Sequence, residues 1–530
     1  MRDAGIVDIN AVIGTWPLDD AEPLTAATLI AQMDRLGIEA ASVRHADAIV
    51  YDPEIGNLRL IEQIRDFPRL RPAFVVGPLD CMEHVGPSGL VDLLDRNGVE
   101  AVWIYPLSHG WKLRDTESVT LMRQLALAGR PVLVNLNECN WEDVAFLATA
   151  LPKVPIVVCS IGYRSLRQAY AVMQRHDNIM VDTSYLAAND GLEIITARFG
   201  DRRVVFGTGT PRYDAGGAIF RLARSGLKRS TRSAVAATTA GRVGIASSRR
   251  ADRLVREPLA ELRGVVDAHA HIGRWPSSWV PGPGADTLIK SMDRCSTEIA
   301  IISSMDALWT GEVRVGNAAA CLAAESYPGR IYVHAVANPH FERDRPYLES
   351  LLKRSDVRGI KVHPHTHGCA IDDPRYEWIW ELATEYNVPV LGHSFHGTWH
   401  SDPVLFGKVA LRHPNLTLIV GHSGALPGGF LSTIEAGKRS ENMVAEICGS
   451  AMTGWWLRRL VDALGPKRVL YGTDATLIDP RYSLGRVAYA PLNETERQLV
   501  LSGNARRLYQ LNEPIKEKES YASSSSAVRQ

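Results

Sequence analysis

Residues 7–17 read V-D-I-N-A-V-I-G-T-W-P and residues 266–276 read V-D-A-H-A-H-I-G-R-W-P, seven identities in eleven positions at an offset of 259. The same offset pairs Met33-Asp34-Arg35 with Met292-Asp293-Arg294. Further along, Pro131-Val132-Leu133 matches Pro389-Val390-Leu391, and Gly207-Thr208 matches Gly472-Thr473. The offset drifts only between 258 and 265, so the chain is a tandem of two homologous domains with loop-sized insertions. Whatever one half folds into, the other must fold into as well.

Each half alternates short β-branched runs with longer amphipathic stretches, the pattern of βα units on a parallel sheet. The second half has eight such runs, at 265–270, 298–303, 331–336, 359–363, 388–393, 416–422, 443–448 and 469–474. The first half has eight at matching places, ending at 204–209. Eight near-continuous apolar strands favour a closed barrel over an open doubly wound sheet, and 530 residues accommodate two barrels of about 250. The predicted fold class is α/β, two tandem (β/α)8 TIM-like barrels. They occupy residues 1–240 and 264–512, joined by a linker with a connecting helix at 241–263 and followed by a polar, disordered tail at 513–530.

Lys plus Arg equals Asp plus Glu at 59 each, so no global field selects nucleic acid or an anionic membrane as partner. The seven cysteines form no Cys-x-x-Cys pair and read as reduced thiols. With no apolar run of signal-peptide or membrane-spanning length, the expectation is a soluble cytoplasmic protein acting on a small molecule.

Chemistry concentrates at the C-terminal ends of the second half's strands, the end at which barrels build active sites. His269 and His271 are two apart on the first strand, so alternation points both imidazoles into the interior, where they can share one metal ion. His393 closes the fifth strand, His422 the sixth and Asp474 the eighth. Histidines that only satisfy core hydrogen bonds would reach all these ends by coincidence alone.

The order His-x-His, later His, second His and Asp in Gly-Thr-Asp resembles the amidohydrolase superfamily over residues 264–511, including the Gly503-Asn504-Ala505-Arg506-Arg507-Leu508 segment. The V-D-A-H-A-H-I-G and Y-G-T-D segments are most similar to the branch containing aminocarboxymuconate-semialdehyde decarboxylase and related hydrolases. The resemblance implies that His269, His271, His393 and Asp474 are metal ligands. It implies that His422 binds a second metal or polarises the substrate or water, and that Asp474 also shuttles protons. Imidazole and carboxylate ligands suit Zn2+ first, with Mn2+ or Fe2+ as alternatives.

On strand four, Lys361 is a candidate for the carbamylated lysine that bridges two metals in some superfamily members. The favoured reading is a barrel lysine that pairs with an acid or holds a substrate carboxylate, because this branch is mostly mononuclear. Lys361 and His363 share a side by alternation, and either can face the cavity. His365 and His367 fall in the following loop; His396 and His400 are loop residues after strand five, and His396 is a candidate for lining the pocket. Arg274 and Trp275 follow strand one at the same mouth and could grip an acidic or planar substrate, although Trp16 at the matching place in the first half favours packing for Trp275.

The first half serves as an internal control. Asn10, Val12, Asn135, Ser160 and Gly209 stand where the second half has His269, His271, His393, His422 and Asp474, and Trp103 and Tyr105 replace Lys361 and His363. Valine and glycine side chains cannot coordinate a metal. Asp8, Asp182 and His109 show no triad or paired-carboxylate spacing, so the first half is expected to be a metal-less partner. It would pack on the second as a pseudo-dimer, with a homo-oligomer left open. Three functions follow: a metal-dependent hydrolase of a small carboxylated amide, ester or lactone; a decarboxylase using the same site; or a non-enzymatic metabolite-binding module.

Overall fold

The computed structural model describes residues 5–18, 20–78, 89–244 and 262–511. The expected tail and all but the ends of the expected linker lie outside the described residues. The first half contributes β1 (Ile6–Ile13), β2 (Ile38–His45), β3 (Leu70–Val76), β4 (Ala101–Ile104), β5 (Val132–Asn135), β6 (Ile156–Cys159), β7 (Ile179–Asp182) and β8 (Val204–Val205). The second contributes β9 (Val265–Ile272), β10 (Thr297–Ser304), β11 (Ile331–Val336), β12 (Val357–Val362), β13 (Val390–His393), β14 (Leu418–Gly421), β15 (Met443–Glu446) and β16 (Val469–Leu470).

Within each half the strands are parallel and neighbours in sequence are neighbours in the sheet. Hydrogen bonds from Ile9 to Phe206 and from Ala268 to Tyr471 close the two barrels. Alternate positions fill the second barrel's interior, among them Val266, Ala268, Ile299, Ile301, Leu391 and Leu470. Each of the valine, isoleucine and leucine side chains contributes about 1.5–3 kcal/mol on full burial.

The last strands are two residues long where six were expected in each half. The physical reason is a turn that side chains stabilise better than a ladder would. Asp267 accepts hydrogen bonds from the Thr473 amide and hydroxyl, and Asp8 does the same for Thr208. The chain then bends at Asp474 and Gly209, with φ of 63° and 67°.

The barrels pack through equivalent helices, Ala215–Ala223 and Pro480–Tyr489, each following its last strand. Glycines let these helices approach: a Cβ on Gly217 would sit 2.7 Å from the Tyr482 carbonyl oxygen, and one on Gly485 2.4 Å from the Phe220 Cβ. Polar contacts flank the seam. Asp214 accepts from the Gly454 amide at 2.7 Å, the Tyr185 and Ser450 hydroxyls meet at 2.6 Å, and buried Arg481 clasps Asp479, Glu193 and Asp190. Among the described residues no helix is long and apolar enough to cross a membrane.

Candidate metal centre

β9 places His269 and His271 on its inward face at the barrel mouth, both buried. The Nδ1 of His269 lies 2.8 Å from the Glu446 carboxylate at the end of β15. The Nδ1 of His271 lies 2.9 Å from the Ser303 hydroxyl at the end of β10. With Glu446 accepting from His269 Nδ1–H, the Nε2 lone pair of that ring points into the mouth; the Ser303 contact likewise engages the outer nitrogen of His271.

Asp474 completes the arrangement, its Oδ1 3.1 Å from His271 Nε2. The ligand-capable atoms of His269, His271 and Asp474 all lie within 4.8 Å of one another. Burial works to raise the Asp474 pKa, but the hydrogen bond to His271 and the charges of His422, His271 and Lys361 hold it below the usual carboxylate value. Burial first, then nearby positive charge, keeps His269 well below its ordinary imidazole pKa, so the ring is neutral. Two neutral imidazoles and an ionised carboxylate are a donor set that fits a divalent cation and leaves positions open.

A second cluster lies behind this one: His269, His422, Glu446 and Cys448 also bring ligand-capable atoms within 4.8 Å. Cys448 Sγ is 2.9 Å from His422 Nδ1 and 3.0 Å from Glu446. Burial and the charges of Glu446 and Asp474 push its thiol well above the usual value. Hydrogen bonds knit the four residues together, with the His422 amide and the Cys448 amide both donating to Glu446.

His393 belongs to neither group of donors. Its Nδ1 lies 3.1 Å from His422 Nε2 and its ring stacks on His363 with centroids 4.0 Å apart. Burial takes the His422 pKa down to about 4. Lys361 is buried with Nζ 2.8 Å from His269 Nε2, and burial lowers its pKa to about 8 against the pull of Asp474, Cys448 and Glu446. It pairs with an imidazole, not with the carboxylate expected as a structural partner. Trp275 meets His271 edge-on, with centroids 5.6 Å apart, and also packs in two apolar clusters. Arg274 is exposed. His396 turns to Asp402 at 3.2 Å, and His365 and His400 contact each other at 3.0 Å.

His422 and Asp474 both hold left-handed backbone, each with φ 63°. Such conformations cost non-glycine residues of order 1–3 kcal/mol and gather at functional sites. Ser160 keeps the same twist at φ 61°, whereas glycine relieves it at position 209.

Glu446, Cys448 and Ser303 were not among the sequence candidates. A signal for Glu446 existed: strand seven of the first half ends on an acid too, and Asp182 receives Asn10 Nδ2 at 2.8 Å as Glu446 receives His269.

Residues 266–511 match the model of the amidohydrolase family. Among solved structures, 2,6-dihydroxybenzoate decarboxylase from Rhizobium is similar at 19% identity, covering 48% of this chain and 100% of that one with a TM-score of 0.39. The dihydroxybenzoic acid decarboxylase from Polaromonas sp. JS666, with bound manganese and 2-nitroresorcinol, is similar at 16% identity, 48% and 98% coverage and a TM-score of 0.40. A putative amidohydrolase from Staphylococcus aureus is similar at 15% identity, 47% and 99% coverage and a TM-score of 0.37. No curated protein matches the chain.

Proposed function

We propose, starting from a second barrel that belongs to the amidohydrolase family, that this barrel is a metal-dependent hydrolase of a small carboxylated substrate. His269, His271 and Asp474 would hold the cation, with His393 and His422 at its edge. The supporting observation is the second contact of each imidazole: Glu446 on His269 and Ser303 on His271 engage the outer nitrogens and orient both rings. A divalent ion, Zn2+ first and Mn2+ or Fe2+ as alternatives, supplies Lewis acidity that polarises a carbonyl and makes water acidic near neutral pH.

The protein's own groups do the remaining work. Asp474, kept ionised, takes a proton from the attacking water and returns it to the leaving group. His422, neutral, holds His393 through Nε2 and would exchange that contact for a hydrogen bond donated to the substrate oxygen. Lys361 offers a positive charge beside His269, suited to a substrate carboxylate. The first barrel stays outside this chemistry and covers one flank of the second.

Purified protein loaded with Zn2+ or Mn2+ is to be incubated with lactones, amides and aromatic acids while product and CO2 are followed. Hydrolysis without CO2 release, lost in His269→Ala, is the expected result. CO2 release with the same dependence would move the reading to decarboxylation. Turnover untouched by His269→Ala would remove the metal site from the mechanism.

A further inference from the structure

We propose that the N-terminal barrel binds a small carboxylate at its own mouth, with the Arg44 guanidinium standing where the second barrel gathers its metal donors. The strand register places Arg44 opposite Val12 as it places Ser303 opposite His271. Arg44 is buried, 5% exposed, and lines a cavity of about 290 Å³. Its Nε donates to the Tyr105 hydroxyl at 2.7 Å and its Nη1 to Asn10 Oδ1 at 2.9 Å. The guanidinium carbon lies 3.7 Å over the centre of the Trp103 ring. The three residues bracing it are those that replace His363, His269 and Lys361.

Two features point to an absent anion. Among the described residues, Arg44 Nη2 has no hydrogen bond and no carboxylate reaches ion-pair distance of the guanidinium. Asp8, the acid that feels the Arg44 charge, is engaged by the Asn10 amide and by the Thr208 amide and hydroxyl, and Asp182 by Asn10 and Ser184. A buried guanidinium with no carboxylate in direct contact among the described residues is costly, and a planar fork fits a carboxylate with two parallel hydrogen bonds.

The surroundings supply the rest of a site. Tyr105 accepts from Arg44, which leaves its own O–H to donate. Asn135 Oδ1 accepts from the Ser160 hydroxyl at 2.9 Å, which leaves its amide nitrogen to donate. Val12, Ile49, Trp16 and Tyr213 give apolar and aromatic walls, so the acid that fits has a compact, apolar or planar body. Two other charges at the rim are tied up. Glu138 accepts from the Ser108 amide and hydroxyl at 2.8 and 2.7 Å, and Arg212 pairs with Asp20 at 3.1 Å while lying over Trp16.

The test is calorimetric titration of the full-length, metal-loaded protein with benzoate. We expect a saturable event, separate from any at the second barrel, that Arg44→Met weakens by at least about 30-fold, that Arg44→Lys weakens less, and that Asp474→Asn leaves in place. Val12→Phe, which fills the cavity while keeping the guanidinium in the chain, should abolish the same event and keeps the test decisive if Arg44→Met fails to fold. No benzoate event with this dependence, in variants whose circular dichroism matches the parent, overturns the proposal. Inorganic phosphate competing as well as benzoate overturns the carboxylate assignment.

Discussion

Glu446 holds His269 across the barrel, Oε2 to Nδ1 at 2.8 Å between residues 177 positions apart in the chain. Glu446 also accepts from the His422 amide at 3.0 Å, so one buried carboxylate sets both an imidazole and the turn that follows β14. Glu446→Gln keeps the volume but replaces the carboxyl acceptor, whose pKa burial raises to about 7. Metal affinity is expected to fall about 10–100-fold with the fold unchanged, read by competition with a chromophoric chelator. Affinity equal to the parent's would mean that Glu446 is a packing group only.

Asp474 sits in left-handed backbone, φ 63°, a conformation that asparagine tolerates better than most residues. Asp474→Asn therefore removes the base with little local strain. Turnover should drop by at least about 100-fold in kcat, while His109→Ala in the first barrel, whose ring contacts the Ile49 carbonyl and Tyr105, leaves it intact. Equal losses from both would show that the two barrels do not divide the labour as proposed.

The duplication, the eight strands per half and the inward pair His269 and His271 were legible because they depend on local periodicity. The partners of those histidines were not. Glu446 and Cys448 lie in M-V-A-E-I-C, a run that reads as apolar strand, and nothing local says that its acid faces an imidazole from β9. Arg44 was hidden for a related reason: its braces, Asn10, Trp103 and Tyr105, come from β1 and from β4 with the residue just beyond it. Strand ends were overrun at β8 and β16 because nothing local shows that Thr208 and Thr473 bond to Asp8 and Asp267, some 200 residues earlier in the chain, and turn it there.

His334 offers a pH test. It is buried on β11 with Nε2 3.0 Å from the Tyr509 hydroxyl, and burial, then the charges of Lys361 and His271, hold its pKa well below the usual 6.5. The folded chain keeps it neutral while the unfolded chain binds a proton below about 6.5. Its contribution is thus complete above that pH and is lost as pH falls towards the folded value. His334→Gln should cost stability at pH 7.5. Its deficit relative to the parent should narrow as pH falls from about 6.5, by at most about 1.4 kcal/mol per unit. Urea unfolding across pH 5–7.5 measures this, and a constant deficit would contradict it.

The seam between the barrels rests on Arg481, only 1% exposed, whose guanidinium from the second barrel meets Glu193 and Asp190 of the first as well as its own Asp479. Removing the cation leaves fully buried Asp479 and half-buried Glu193 with backbone amides but no counter-charge, the situation in which breaking a buried ion pair costs about 3–5 kcal/mol. Arg481→Met should lower the urea midpoint accordingly. It should do so for both halves together, because the cation and two of its three acids belong to different barrels. Lys438→Ala, which breaks an exposed pair with Glu435, should cost no more than about 1 kcal/mol. If the two variants shift the midpoint equally, the barrels do not depend on this cluster for their packing.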